Sequence, residues 1–219
     1  TKGFSIEETF AFLASEYEGK VVFSTSFGQE DQVITALIAK YFKEVGELKK
    51  NSVVITEYSN LALVKELEKA GINVLKVVNG DRAITELLRK EKLNFGGEAT
   101  GHFIFLDYSD AGDGTLTALQ VLKIIKEKGK TLSELAYTFE KFPQKVFNVE
   151  VQEKKDLEDI ERLQDRIKYW TDEFKGEGRV FLRYSGTENL LRIMVEAREE
   201  GKLEEVGNDL VKICKEELS

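Results

Sequence analysis

The feature that most restricts the fold is a repeated order of short apolar runs and amphipathic stretches, most of them stopped by glycine. It holds as far as the chain's only proline, Pro143, and then changes. Residues 21–24 form an apolar run before a polar loop with Gly28. The spacing of Val33, Ile34, Leu37, Ile38, Tyr41 and Phe42 predicts a helix over 31–45, stopped by Gly46. Strands are expected at 52–55, 74–78 and 103–106. Helices are expected at 60–70, 81–91 and 114–128, the first and last closed by Gly71 and Gly129. Ahead of these, Ser5 and Glu8 read as a capping box opening a helix that carries Phe10, Leu13, Ala14 and Tyr17. Strands alternating with helices of this length predict a parallel sheet covered on both faces, a three-layer α/β domain.

Beyond Pro143 the order becomes strand (146–151), charged helix (157–174), two strands around a polar turn (179–184 and 190–196) and a last helix (203–217). That predicts a small α+β domain with an antiparallel sheet, dividing the chain into domains 1–142 and 143–219. With 42% hydrophobic and 33% charged residues, 219 residues can bury a real core. The single cysteine excludes an internal disulfide framework and a Cys-rich metal site, and the single histidine a multi-histidine one. A net charge of -8 argues against a general nucleic-acid binder. No apolar run approaches the ~20 residues of a membrane span. The acidic, amphipathic start at Thr1 lacks the pattern of a signal peptide and suggests a processed end. A reducing, cytoplasmic setting is expected; the oligomeric state stays open.

Four segments could carry chemistry. In the turn Arg183, Tyr184, Ser185, Gly186, Thr187, Glu188, Asn189, arginine offers a fork of donors to an oxyanion, and glycine lets successive amides curl round a phosphate. Arg192 is near enough to add a second positive charge. A plain polar hairpin turn is an equally good reading. In Gly96, Gly97, Glu98, Ala99, Thr100, Gly101, His102, glycines allow close backbone approach to a ligand, and Glu98 and Thr100 could bond sugar hydroxyls. His102 is the only imidazole, the side chain type that ordinarily titrates near neutrality. Its alternative is a satisfied histidine in a turn. Gly80, Asp81 and Arg82 read as a helix start, or as a loop presenting Arg82 to an anion. Ser24, Thr25, Ser26 and Gly28 precede a helix and could cradle a nucleotide phosphate, though the lysine of a P-loop is missing. Asp107, Asp110 and Asp113 read as a solvated helix cap rather than a cation loop, and Cys214 as a small apolar residue in a helix.

From about residue 45 to the end, the ordered landmarks Ser59-Asn60-Leu61, Gly80-Asp81-Arg82, Gly97-Glu98-Ala99-Thr100-Gly101-His102, Phe105-Leu106-Asp107-Tyr108, Gly112-Asp113-Gly114 and Arg183-Tyr184-Ser185-Gly186-Thr187-Glu188 closely resemble the third and fourth domains of the α-D-phosphohexomutase superfamily, bacterial phosphoglucosamine mutases in particular. The resemblance implies that Glu98, Thr100, His102 and Arg82 read the sugar of a phosphosugar, and that Arg183, Ser185, Gly186, Thr187 and Arg192 bind its phosphate. Thr100 stands where serine is usual, which keeps the hydroxyl. Tyr184 and Asn189 stand where proline is usual, which is expected to loosen the loop. The family's reaction interconverts glucosamine 6-phosphate and glucosamine 1-phosphate. It uses a phosphoserine loop and a magnesium loop, Asp-Gly-Asp-x-Asp-Arg, and neither pattern occurs in these 219 residues. The expectation is therefore weak phosphosugar binding without turnover, no catalytic residue, and no metal or other cofactor held by this chain.

Residues 4–35 read differently. Their Phe4-Ser5-Ile6-Glu7-Glu8 and Ser24-Thr25-Ser26-Phe27-Gly28 stretches resemble the start of adenylyl-sulfate and phosphoadenylyl-sulfate reductases. That resemblance implies a chimera, engineered or else a natural recombinant, in which the strand at 21–24 completes a mutase-like sheet. It also implies nucleotide binding at Ser24 to Gly28 as an alternative function.

Overall fold

The computed structural model describes residues 30–78, 80–136 and 139–218. The expected reductase-like strand at 21–24 and the loop Ser24, Thr25, Ser26 and Gly28 lie outside them.

The first sheet is built from β1 (Ser52–Thr56), β2 (Asn73–Val77), β3 (Phe95–Gly97) and β4 (Phe103–Phe105), in the order β2-β1-β3-β4. Strand β1 runs parallel to β2 and to β3. Strands β3 and β4 are antiparallel, with Phe95 opposite Phe105. The sheet is parallel across β2, β1 and β3, as expected from the sequence, and β4 adds an antiparallel edge that makes it mixed. A helical crossover is needed only between parallel neighbours; the short link from Gly97 to Phe103 makes a hairpin.

Helices cover both faces. Helix α1 (Glu30–Glu44), α2 (Leu61–Lys69) and α4 (Gly114–Lys128) supply Ile38, Phe42, Leu63, Leu67 and Ile124 to one core, which takes Val53 and Ile55 from β1. Phe42, Phe95 and Phe105 meet there with ring centroids 5.1–6.1 Å apart. Helix α3 (Asp81–Glu91) covers the other face, placing Ile84 and Leu88 on Val54 and Ile104. Both faces of β1 are therefore apolar, and all of its residues are buried. A short helix α5 (Leu132–Ala136), not expected from the sequence, closes the domain.

The second sheet joins β5 (Gln144–Glu150), β6 (Gly178–Tyr184) and β7 (Leu190–Ala197) in the antiparallel order β5-β7-β6. Alternation sorts their side chains. Leu191, Ile193 and Val195, with Val180, Leu182 and Tyr184, pack under helices α6 (Glu161–Phe174) and α7 (Gly201–Leu218). The opposite face carries Arg179, Phe181 and Arg183 beside Glu196, Met194 and Arg192. The helix expected over 157–174 is interrupted. Asp156 caps a single 3-10 turn at Leu157–Asp159, and Ile160 takes a non-helical conformation before α6 begins.

Cys214 is fully buried under this sheet, and burial pushes its thiol up to about 11. The folded state therefore holds its proton where the unfolded chain has lost it. The stability this contributes is complete below about pH 8.5, the ordinary cysteine value. It is lost as pH rises toward about 11. A thiol reagent at pH 8 should modify native protein far more slowly than protein in denaturant. Equal rates would contradict the buried, protonated thiol.

The two sheets meet along a polar seam. Arg179 Nε donates to Glu196 Oε2 at 2.7 Å, and its two terminal nitrogens donate to the carbonyls of Glu57 (2.9 Å) and Ser59 (2.7 Å). Glu196 Oε1 accepts from Leu61 N at 2.6 Å, in the first turn of α2. Asn60 caps α2 through Ala62 N and exchanges two bonds of 3.0 Å with the backbone of Phe142. No described helix is long and apolar enough to cross a membrane.

Candidate functional site

Two loops and the seam between them make the candidate site. The first is the hairpin turn from β3 to β4. Glu98 N donates to His102 O (2.9 Å) and Gly101 N to Glu98 O (3.1 Å), with Gly101 at φ 93, a conformation that favours glycine. Glu98 is buried, and His102 Nδ1 lies 3.1 Å from Glu98 Oε2 and 3.4 Å from Thr100 Oγ1. The three residues expected to read a sugar are thus gathered in one turn. Thr100 and His102 are exposed, and Glu98 buttresses the imidazole from below. Arg82 comes from a different element. It stands 89% exposed on the first turn of α3, and its ionic partner among the described residues is Glu86.

The second loop joins β6 to β7. Ser185 N donates to Leu190 O (2.8 Å), and Glu188 N donates to Ser185 Oγ (3.3 Å), which closes the turn around a buried serine. Gly186 and Thr187 stay exposed. Arg183 and Arg192 are direct cross-strand partners. Like charges in that position repel unless an anion lies between them. Arg192 has Glu188 at 3.6 Å, while Arg183 has no ion pair among the described residues and lies over the ring of Tyr58, 5.6 Å from its centre. Lys154 donates to Ser185 O at 2.7 Å and brings a third cation to the loop. Sequence reasoning missed Lys154, which is distant along the chain and has no motif around it. The loosening expected from Tyr184 is not seen at that residue: its ring packs into the core and its hydroxyl donates to Lys155 O at 2.9 Å.

Tyr58 links the two loops. Its ring meets Phe181 edge-on at 5.2 Å, and it lines a cleft of about 740 Å3 at the seam together with Ala99, Asn60, Lys145 and Met194. The aspartates expected to cap a helix are spread over separate tasks. Asp107 pairs with Lys49 and accepts from Asn94, Asp110 pairs with Arg89, and Asp113 caps α4 through Leu116 N. Lys49 and Asn94 hold the Asp107 carboxyl below its ordinary value against the opposing effect of burial, the largest single contribution. No three His, Cys, Asp or Glu side chains among the described residues are grouped to hold a metal.

A helix-covered mixed sheet, followed by a three-stranded antiparallel domain with a basic Ser-Gly-Thr turn, is the architecture of the last two domains of sugar-phosphate mutases. The description "Phosphoglucomutase/phosphomannomutase, alpha/beta/alpha domain III" matches residues 29–142, and the C-terminal domain of the same family matches residues 147–213. The chain therefore belongs to the phosphoglucomutase/phosphomannomutase family. It is 44% identical over 206 residues to the phosphoglucosamine mutase of Shouchella clausii, covering 94% of this chain and 45% of that protein. With the phosphoglucosamine mutase of a Geobacter species it shares 39% over 219 residues, covering 98% of this chain and 48% of the relative. The chain thus spans about half the length of the curated relatives it matches. Among solved structures, an Aspergillus fumigatus N-acetylphosphoglucosamine mutase superposes with a TM-score of 0.72 at 21% identity, over 91% of this chain and 45% of that one, a likeness of fold.

Proposed function

We propose that this chain is the substrate-reading half of a phosphoglucosamine mutase. Glu98, Thr100 and His102 take the hydroxyls of the sugar, and Arg183, Ser185, Gly186, Thr187 and Arg192 take its phosphate. The observation that carries the reading is the Arg183–Arg192 pair, two cations in register beside a turn whose Gly186 and Thr187 are exposed. Left empty, that pair is repulsive; a phosphate dianion between them removes the repulsion and accepts charge-assisted bonds. Lys154 adds to the same potential. Arg82, exposed on the first turn of α3 and paired with Glu86, is a further donor for the sugar.

These 219 residues contain neither a phosphoserine loop nor a magnesium loop of the family's pattern. Taken alone they are expected to bind phosphosugar without turning it over, in a cytoplasmic setting and with no nucleic-acid partner. The mutase alignment that reaches 98% of the chain supports a single mutase origin for residues 4–35 as well. Neither a reductase fusion nor nucleotide binding at Ser24 to Gly28 is carried further.

Titration calorimetry with glucosamine 6-phosphate, inorganic phosphate and glucosamine tests the reading. Both phosphate-bearing ligands should bind, the phosphosugar more tightly, and free glucosamine should bind least. Arg183→Ala should weaken phosphate binding about 10- to 100-fold, matching the ~1.5–3 kcal/mol of a hydrogen bond to a charged group. Phosphate affinity untouched by this substitution would refute the assignment.

A further inference from the structure

We propose that Arg179 and Glu196 are positioning residues: their buried ion pair fixes where the phosphate loop stands relative to the sugar loop. The inference rests on the proposed phosphosugar site for its purpose, but its geometry stands apart from it.

The pair is placed where strand geometry transmits position in both directions. Arg179 lies at the start of β6 and Arg183 at its end, on the same face, about 13 Å apart at ~3.3 Å per residue. Glu196 and Arg192 occupy the matching places on β7, because Arg179 faces Glu196 and Arg183 faces Arg192. Whatever holds the Arg179–Glu196 end of this ribbon therefore aims the Arg183–Arg192 end. On the other side, Arg179 grips the carbonyls of Glu57 and Ser59, directly after β1. Strand β1 is hydrogen-bonded in parallel to β3, with Ile55 opposite Gly97, and Glu98 follows Gly97. The path from the sugar loop to the phosphate loop thus runs through two paired strands, one guanidinium and two more paired strands.

The clamp satisfies its own groups. Glu196 is 0% exposed, and both of its oxygens are used, one by Arg179 and one by Leu61 N. Tyr58, between the two gripped carbonyls, sets its ring against Phe181 and beneath Arg183, so the same grip also fixes the surface over which Arg183 lies. A phosphosugar engaged by both loops is bound bivalently. Its affinity then depends on the loops being held at the right separation.

Removing Arg179 alone would strand the Glu196 charge, so the test uses Arg179→Met together with Glu196→Gln, and Glu196→Gln alone as the conservative variant. Glutamine still offers an oxygen to Leu61 N. Residual dipolar couplings from the two sheets should fit a single orientation in the wild-type chain and require two in the double variant. Unaltered relative orientation in the double variant overturns the inference. In the same proteins, inorganic phosphate should bind the double variant within about twofold of wild type, because its loop lies within one sheet. Glucosamine 6-phosphate should bind at least ~10-fold more weakly, the loss expected when two halves of a site are uncoupled. Equal loss for both ligands would mean a damaged loop and would also overturn it. Glu196→Gln, which keeps Arg179 on its two carbonyls but loses the acceptor at Nε, should bind phosphosugar with an affinity between those of the double variant and wild type. If the wild-type chain ignores phosphosugar while the couplings change as expected, the functional reading falls and the clamp stands.

Discussion

Arg179→Met, made alone, is expected to lower the unfolding free energy by about 3–5 kcal/mol, the cost of leaving a buried charge without its partner. Glu196 is 0% exposed and Arg179 only 19%, so water cannot replace the lost guanidinium. The carbonyls of Glu57 and Ser59 lose their donors in the same step. Adding Glu196→Gln removes the stranded charge and should recover most of the loss. A buried ion pair contributes little net stability over a neutral pair, while half of one is costly. Urea titrations of the two single variants, the double variant and wild type measure the coupling directly. Losses that simply add would show that Arg179 and Glu196 act independently, against the bonded pair.

Gly96→Val is expected to cost about 3 kcal/mol, at the upper end of what overpacking a core strand does. A Cβ added at Gly96 would lie 2.5 Å from Ile84 Cγ2 and 2.9 Å from Val54 O. The second atom is backbone in the central strand β1 and cannot rotate away. Valine suits strands better than glycine by roughly 1 kcal/mol, too little to offset a collision with a fixed carbonyl. The melting temperature of the first domain should fall by roughly 10–20 °C. Gly186→Ala is the control. Nothing lies within 4 Å of a Cβ at that position, so stability should change by no more than ~0.5 kcal/mol. A Gly96→Val protein that melts with wild type would contradict the close approach of α3 to the sheet.

What was legible in the sequence follows from periodicity. Helices α1, α2, α3 and α4 and the three strands of the second sheet repeat their apolar residues clearly enough to be placed within a residue or two. In the sequence strand β3 reads only as a glycine-rich loop, because Phe95–Gly97 offers one side chain in three residues. It forms a strand because β1 and β4 supply partners on both sides, a tertiary cause that no local window contains. With β3 missed, the antiparallel hairpin was missed too, and β4 was assigned to a parallel sheet. The gathering of Glu98, Thr100 and His102 was legible, since all three lie in one short turn. The clamp was not. Arg179 and Glu196 look like the exposed polar positions of alternating strands, and only the neighbouring domain turns them into a buried pair. Lys154 and Tyr58 were hidden for the same reason, their roles being set by residues far away in sequence.

The strand order of the second sheet has a consequence for how the molecule is made. Its middle strand, β7, is the last to leave the ribosome, so β5 and β6 have no partner until residue 197 has emerged. All four strands of the first sheet are complete by residue 105, which lets that domain form early in synthesis. Glu196 arrives only with β7 and brings the acceptor that Arg179 and Leu61 N await. Joining of the two halves thus waits until β7 has been made. A nascent chain stalled before β7 should expose an unpaired β5 and β6, an opening for strand exchange between neighbouring nascent chains.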